Sequence, residues 1–166
     1  MARDNKKPRF KREKPEYDQK LLDLARVTRV VKGGRRFRFR ATLVIGNRKG
    51  KVGVGVGKGP DVAEAIRKAY SDGQKNLIIA PIKKNTIAHD VDFKLGSAKV
   101  MLKPAQEGRG IVAGGAVRAV VDLAGIKDIV SKSLGSSNKL NVARATIEAL
   151  RTLENSRTRK SRMGEK

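Results

Sequence analysis

Cysteine is absent from all 166 residues, which removes disulfides and thiolate metal sites. Tryptophan is absent too, and the aromatics amount to four Phe and two Tyr. Proteins that grip single-stranded nucleic acid stack bases on aromatic faces, and this chain has few to offer. There is one histidine, His89, so a zinc centre with several imidazoles is excluded for a single chain. His89 lies in "TIAHDVDF", which alternates like a strand, and it is expected to be an ordinary strand residue rather than a general base. No run approaches the roughly 20 consecutive apolar residues that a membrane-spanning helix needs. The opening "MARDNKKPRFKREKPEYDQK" has no apolar core and carries four acids, so it reads as neither signal nor transit peptide.

Acids are the next scarcity. Asp plus Glu number 16 against 39 Lys plus Arg, a formal net charge of +23. Charge on that scale speaks of partners, nucleic acid or an anionic membrane, and not of fold. Between Arg26 and Pro60 there is no acid at all. The same stretch holds Arg26, Arg29, Lys32, Arg35, Arg36, Arg38, Arg40, Arg48, Lys49, Lys51 and Lys58. Self-repulsion disfavours such a cluster unless an anion neutralises it. With few aromatics, folded RNA recognised by shape and phosphate position fits better than a stacked single strand; charge alone does not exclude DNA. No heptad zipper, zinc finger or helix-turn-helix is evident.

Hydrophobic patterning divides the chain. Residues 1–15 and 154–166 read as basic flexible tails, too poor in apolar residues to fold alone. "EYDQKLLDLARV" is either a short helix or an extended lead-in. "VTRVV" (27–31) is a strand, "KGG" a turn, and "RFRFRATLVIG" (36–46) the clearest strand. It puts Phe37, Phe39, Ala41, Leu43 and Ile45 on one face and Arg36, Arg38, Arg40, Thr42 and Val44 on the other. "KVGVGVG" returns as a hairpin partner, and "GPDVAEAIRKAYSDGQKNL" is a helix with Pro60 at its first position and Gly73 as a weak point. Residues 16–80 therefore predict a three-stranded antiparallel sheet with a helix on one face.

"LIIAPIKKNTI" (77–87) is the expected boundary, and residues 81–153 form a second unit. Its strands are "TIAHDVDF", "SAKVMLKPA" with Ala98, Val100 and Leu102 inward, and "IKDIVSKSLG". Its helices are "AVRAVVDLAG", with Val117, Val120, Val121 and Ala124 inward and Gly125 as the stop, and "NVARATIEALRTL". The latter carries an apolar stripe from Leu140 to Leu153 and Asn141 as its cap. The fold class is α+β, two small layered domains.

Three glycine motifs compete for a functional reading. In "KVGVGVGKGPDVAEAIRKAY" (51–70), Gly57-Lys58 precedes a helix, as in a phosphate-binding loop. The required first glycine falls on Val52, however, and Gly59 stands where a hydroxyl should bind magnesium. Gly53, Gly55 and Gly57 alternate with Val52, Val54 and Val56, and glycine inside a strand calls for close approach of another backbone. The expectation is a side-chain-free strip that admits an RNA backbone; the alternative is a helix or protein segment packed on it. Gly50-Lys51-Val52-Gly53 matches a KH-type GXXG loop but sits in a hairpin rather than between helices. In "GRGIVAGG", Gly108, Gly110 and Ala113 satisfy a dinucleotide fingerprint with Asp128 20 residues on, yet only one βαβ-like unit accompanies it. Such a loop at a helix start favours anions, or docks another protein.

"VVKGGRRFRFRATLVIGNRKGKVGVGVGKGPDVAEAIRKA", "LKPAQEGRGIVAGGAVRAVVDLAGI" and "SLGSSNKLNVARATIEAL" together resemble the bacterial small-subunit ribosomal protein five family, in order, over about residues 25–153. The resemblance implies a first domain like a double-stranded-RNA-binding domain and a β-α-β-α second domain. It implies a non-enzymatic, cytoplasmic, ribosome-bound protein that binds small-subunit ribosomal RNA and contacts small-subunit proteins four and eight. Roles in assembly and decoding accuracy near the mRNA entrance follow, without cofactor, metal, membrane or homo-oligomer. "RVTRVVKGGRR" matches the family's loop beside the spectinomycin site, which assigns Val27, Thr28, Arg29, Lys32, Gly33, Gly34 and Arg35. "EGRGIVAGGAVR", especially Arg109, Gly110 and Arg118, matches the region facing protein four. The RNA-binding set is then Arg26, Arg29, Lys32, Gly33, Gly34, Arg35, Arg36, Arg38, Arg40, Arg48, Lys49, Lys51, Gly53, Gly55, Gly57 and Lys58. Val54 and Val56 depart from the aromatics frequent at those positions. A free RNA chaperone is the alternative on charge alone.

Overall fold

The structure, a computed structural model, describes residues 16–163; the tail read at 1–15 lies outside them. Two long strands dominate the first half. β1 (Asp18–Val31) and β2 (Gly34–Gly46) pair antiparallel from end to end across the tight turn at Lys32 and Gly33. The ambiguous "EYDQKLLDLARV" segment is thus the first half of a strand. Its pattern misleads because the register skips between Leu21 and Asp23, a β-bulge that breaks the period of two. β3 (Lys51–Gly59) follows antiparallel, and β4 (Ile78–Ile79) adds a short fourth strand in the order β1-β2-β3-β4.

α1 (Val62–Lys75) covers one face of this sheet. Asp61, with extended φ and ψ, is its N-cap, so Pro60 precedes the cap and not the first turn. Ala41 and Leu43 pack with Ala65 and Ala69, and Phe39, Ile66 and Tyr70 close the margin.

The second sheet has the order β5-β6-β8-β7, from β5 (Val91–Leu95), β6 (Ala98–Pro104), β7 (Ile111–Val112) and β8 (Ile129–Ser133). β7, unforeseen in the glycine-rich loop, runs parallel to β8 and is joined to it through α2 (Gly115–Ala124). His89 lies in an exposed bend before β5, not in a strand. α3 (Lys139–Met163) starts earlier than expected: the Leu140 N–H donates to Asn138 Oδ1 at 3.1 Å, so Asn138 and not Asn141 is the cap. Its backbone also continues through Met163, into the segment read as a tail.

The layers run α1, first sheet, α2 with α3, second sheet. Val44, Val52 and Val54 of the first sheet enter the same core as Val100, Leu102, Val117, Val120, Ile129, Leu150 and Leu153. Segment 77–87 contributes buried Ala80 and Ile87 to it.

Candidate nucleic-acid interface

The hairpin's two ends have different environments. At about 3.3 Å per residue, the 13 residues of β2 set its turns roughly 40 Å apart. One end is clamped. Arg48 N–H donates to the Leu123 carbonyl at 2.9 Å and Gly50 N–H to the Ala124 carbonyl at 2.8 Å. The β2–β3 turn thereby satisfies carbonyls that the C-terminus of α2 leaves free. Gly125 caps α2 with φ +92°, and a Cβ there would clash with the Arg48 carbonyl. The Arg48 guanidinium reaches Asp18 at 3.2 Å. Arg48, Lys49 and Lys51 are exposed, but this turn is the joint with the second domain, and the structure does not bring them together with the other eight cations.

The other end is free. Residues paired in register share a face. Arg29 opposes Arg36, and Arg40 opposes Lys58, with Arg38 between them opposite Val27. Arg29, Arg36, Arg38, Arg40 and Lys58 therefore share the face away from α1. Like charges directly opposite destabilise a sheet by roughly 0.2–1 kcal/mol per pair. Among the described residues only Arg40 of these five has an acidic partner, Asp23 at 3.7 Å. Asp23 also holds Lys139 of α3 at 3.2 Å, and Arg40 Nε is buried without a hydrogen-bond partner. Arg40 is thus partly a structural residue, at the level where this face turns from basic to buried (Thr42, Val44).

Toward the turn, Thr28, Lys32, Gly33, Gly34 and Arg35 are exposed and Val27 is half-buried. A side chain at Gly33 or Gly34 would meet nothing within 4 Å. Arg26 lies on the α1 side of the sheet, opposite Phe39 in register, with its guanidinium 4.3 Å from the Phe37 ring centroid. Phe37, expected inward, is 46% exposed. β3 ends its pairing at Gly59 opposite Phe39, so neither β3 nor α1 extends over it.

The glycine strip corrects the expectation of an RNA-facing surface. Gly53, Gly55 and Gly57 are buried beneath α1. A Cβ at Gly55 would clash with the Ala69 carbonyl, one at Gly57 with the Ala65 carbonyl, and one at Gly53 would lie 2.7 Å from the Gly73 carbonyl. Ala65, Ala69 and Gly73 recur every four residues, and this small-residue stripe lets the α1 backbone sit on the β3 backbone. The Val56 N–H donates to Asp72 Oδ2 at 2.9 Å and pins the same contact. Gly73 is therefore a packing residue, and the three β3 glycines cannot touch RNA in this fold.

The glycine-rich loop before α2 is tied down, not open for a cofactor. Asp128 is 4% exposed, and its Oδ1 accepts the Gly110 N–H at 2.8 Å. The acid that a dinucleotide ribose would require is thus committed to the loop itself. The loop still presents cations outward. Arg109 and Arg118 are exposed, and Arg118 Nη2 donates to the Ile111 carbonyl at 3.2 Å. Among the described residues there is no group of three or more His, Cys, Asp or Glu able to hold a metal, and no helix long and apolar enough to cross a membrane.

Sequence reasoning missed Asp18, Asp23 and Asp122, which bind Arg48, Arg40 with Lys139, and Lys20 respectively. Apart from "acid just outside the acid-free stretch", nothing in the sequence marks Asp18 and Asp23. Together with Lys20 they lash β1 to the hairpin turn and to both helices of the second domain.

Fold and surface define a class: a basic two-domain α+β protein with one end of a hairpin locked into its body and the other free, carrying cations of which, on the face away from α1, Arg40 alone among the described residues has an acidic partner. Comparison with known proteins narrows it. The family "Ribosomal protein S5, N-terminal domain" matches residues 17–81, and "Ribosomal protein S5, C-terminal domain" matches residues 93–162. Proteins called small ribosomal subunit protein uS5 from Campylobacter jejuni strains 81-176, 81116 and RM1221 are each 56% identical over 139 residues, covering 84% of this chain and 95% of theirs. The chain belongs to the ribosomal protein S5 family. It is accordingly a small-subunit ribosomal protein, a partner of ribosomal RNA and other ribosomal proteins, and not an enzyme.

Proposed function

We propose that the free end of the β1–β2 hairpin carries the RNA contact and that the second domain braces the subunit. Arg29, Arg36, Arg38 and Lys58 take phosphates on one face, and Lys32, Gly33, Gly34 and Arg35 take them at the turn. The observation that carries this reading is the register itself, Arg29 against Arg36 and Arg40 against Lys58, with only Arg40 given an acid. A sheet that holds such pairs loses stability for want of an anion and regains it when one binds. The turn with Val27 and Thr28 is the segment that borders the spectinomycin site in the family. The exposed Arg109 and Arg118, with Gly110 between β7 and the Asp128 tether, form the surface toward protein four, and protein eight is the other protein neighbour. Support of assembly and of decoding accuracy near the mRNA entrance follows from that placement, in the cytoplasm.

Crosslinking from Arg36→Cys and Arg118→Cys on intact small subunits tests the placement, since the chain has no other cysteine. The expected products are ribosomal RNA from position 36 and protein four from position 118. If instead the protein washes off subunits in high salt without either product, it is a free RNA chaperone.

A further inference from the structure

We infer that Phe37 is a stacking platform for one unpaired nucleobase of RNA, a site distinct from the phosphate-binding face. This rests on the RNA-binding reading of the hairpin. Phe37 lies on the α1 side of the sheet, opposite Thr28, two positions beyond the last β2–β3 pair at Phe39 and Gly59. There α1 no longer shields the sheet, and the ring is 46% exposed. Arg26 lies over the ring, 4.3 Å from the centroid. A cation on one face of a phenyl ring that is nearly half exposed makes a half-built sandwich. Val30, opposite Arg35 on the same side and 74% exposed, extends the apolar patch toward the turn.

The chemistry of the occupant follows from the surroundings. Between Arg26 and Pro60 the chain has no acid, so whatever approaches this end is anionic overall. A phenyl ring makes no useful contact with a phosphate. What an RNA strand offers to an aromatic face or a guanidinium plane is a base free of its helix. Every base has such a face, so the site selects an unpaired nucleotide rather than a sequence. The hairpin would then straddle its RNA, with phosphates on the Arg36 side and a base on the Phe37 side.

The absence of tryptophan supplies the test. Full-length Phe37→Trp carries a single indole at the site. Its fluorescence should be quenched by an in vitro transcript of small-subunit ribosomal RNA, and not by heparin, a polyanion without bases. Phe37→Ala should lose about 5- to 150-fold in affinity for the transcript, the range found when a base-stacking side chain is removed, with heparin affinity unchanged. Phe37→Leu keeps apolar bulk at this exposed position and should lose affinity as Ala does. Full transcript affinity in both variants, or an unquenched indole in the bound complex, overturns the inference and leaves the phosphate contacts standing. An indole that responds only when small-subunit proteins are added overturns it in favour of a protein neighbour. If the unsubstituted protein fails to bind the transcript, the RNA-binding reading itself falls.

Discussion

Arg29 and Arg36 stand directly opposite each other across the β1–β2 ladder, and neither has an acidic partner among the described residues. Replacing Arg36 by Ala should therefore leave the RNA-free protein as stable as before or raise its stability by up to about 1 kcal/mol at low salt. Thermal melts with and without small-subunit ribosomal RNA check this. Affinity should fall while the RNA-free Tm does not. A Tm lowered in proportion to affinity would mean that Arg36 is a packing residue.

Arg40 should behave differently from its neighbours. It shares Asp23 with Lys139 and keeps a buried Nε, so Arg40→Ala disturbs the contact between β1, β2 and α3 as well as the basic face. A loss of roughly 0.5–1.5 kcal/mol is expected, near the upper end for a half-exposed pair plus the side-chain stem. Chemical denaturation of Arg38→Ala and Arg40→Ala side by side should separate them, with Arg38→Ala within about 0.5 kcal/mol of the parent.

Gly55→Ala tests the packing account of the glycine strip. The added methyl meets the Ala69 carbonyl and the Gly73 backbone, none of it a flexible side-chain end. Overpacking of this kind costs roughly 1–3 kcal/mol or more. Gly115→Ala in the first turn of α2 is the control, because a Cβ there meets nothing within 4 Å. Equal stability for the two variants, with RNA binding impaired only in Gly55→Ala, would restore the RNA-facing reading.

That strip marks where sequence reasoning succeeded and failed. Alternation identifies β2, β3 and β6, because the period of two is a local signal, and it places Ala98, Val100 and Leu102 of β6 correctly inward. It announced that something approaches Gly53, Gly55 and Gly57 but not what, since the partner is set by topology. The missing clue was Ala65, Ala69 and Gly73 at intervals of four in α1, two small residues and an apparent defect. Val44 shows the same limit from the other side. It alternates with Arg36, Arg38 and Arg40, yet is fully buried, because the second domain covers one half of a face whose other half is open. The first half of β1 is obscured by a single bulge, while residues 27–31 read as a strand, and β7 is obscured by having only two residues. The eleven cations between Arg26 and Pro60 are plain in the sequence; their division between a clamped turn and a free one is not.

The clamp predicts coupling between the domains. Gly125→Ala forces an L side chain at φ +92° and into the Arg48 carbonyl, which should cost roughly 2–5 kcal/mol from backbone strain and overpacking together. Calorimetry of the parent should give one transition, because Val44, Val52 and Val54 share a core with the second domain. Separation into two transitions in Gly125→Ala would identify the turn as the joint. Two transitions already in the parent would contradict the shared core.

The central claim is that the acid-free end of the hairpin is completed by RNA phosphates. The salt dependence of binding to small-subunit ribosomal RNA measures it, for the parent and for the Arg36→Ala, Arg38→Ala pair. Each phosphate contact contributes about −0.7 to −0.9 to the slope of log K against log salt. The double variant should bind more weakly with a slope shallower by roughly 1.4 to 1.8; an unchanged slope and affinity would place the RNA somewhere else on the molecule.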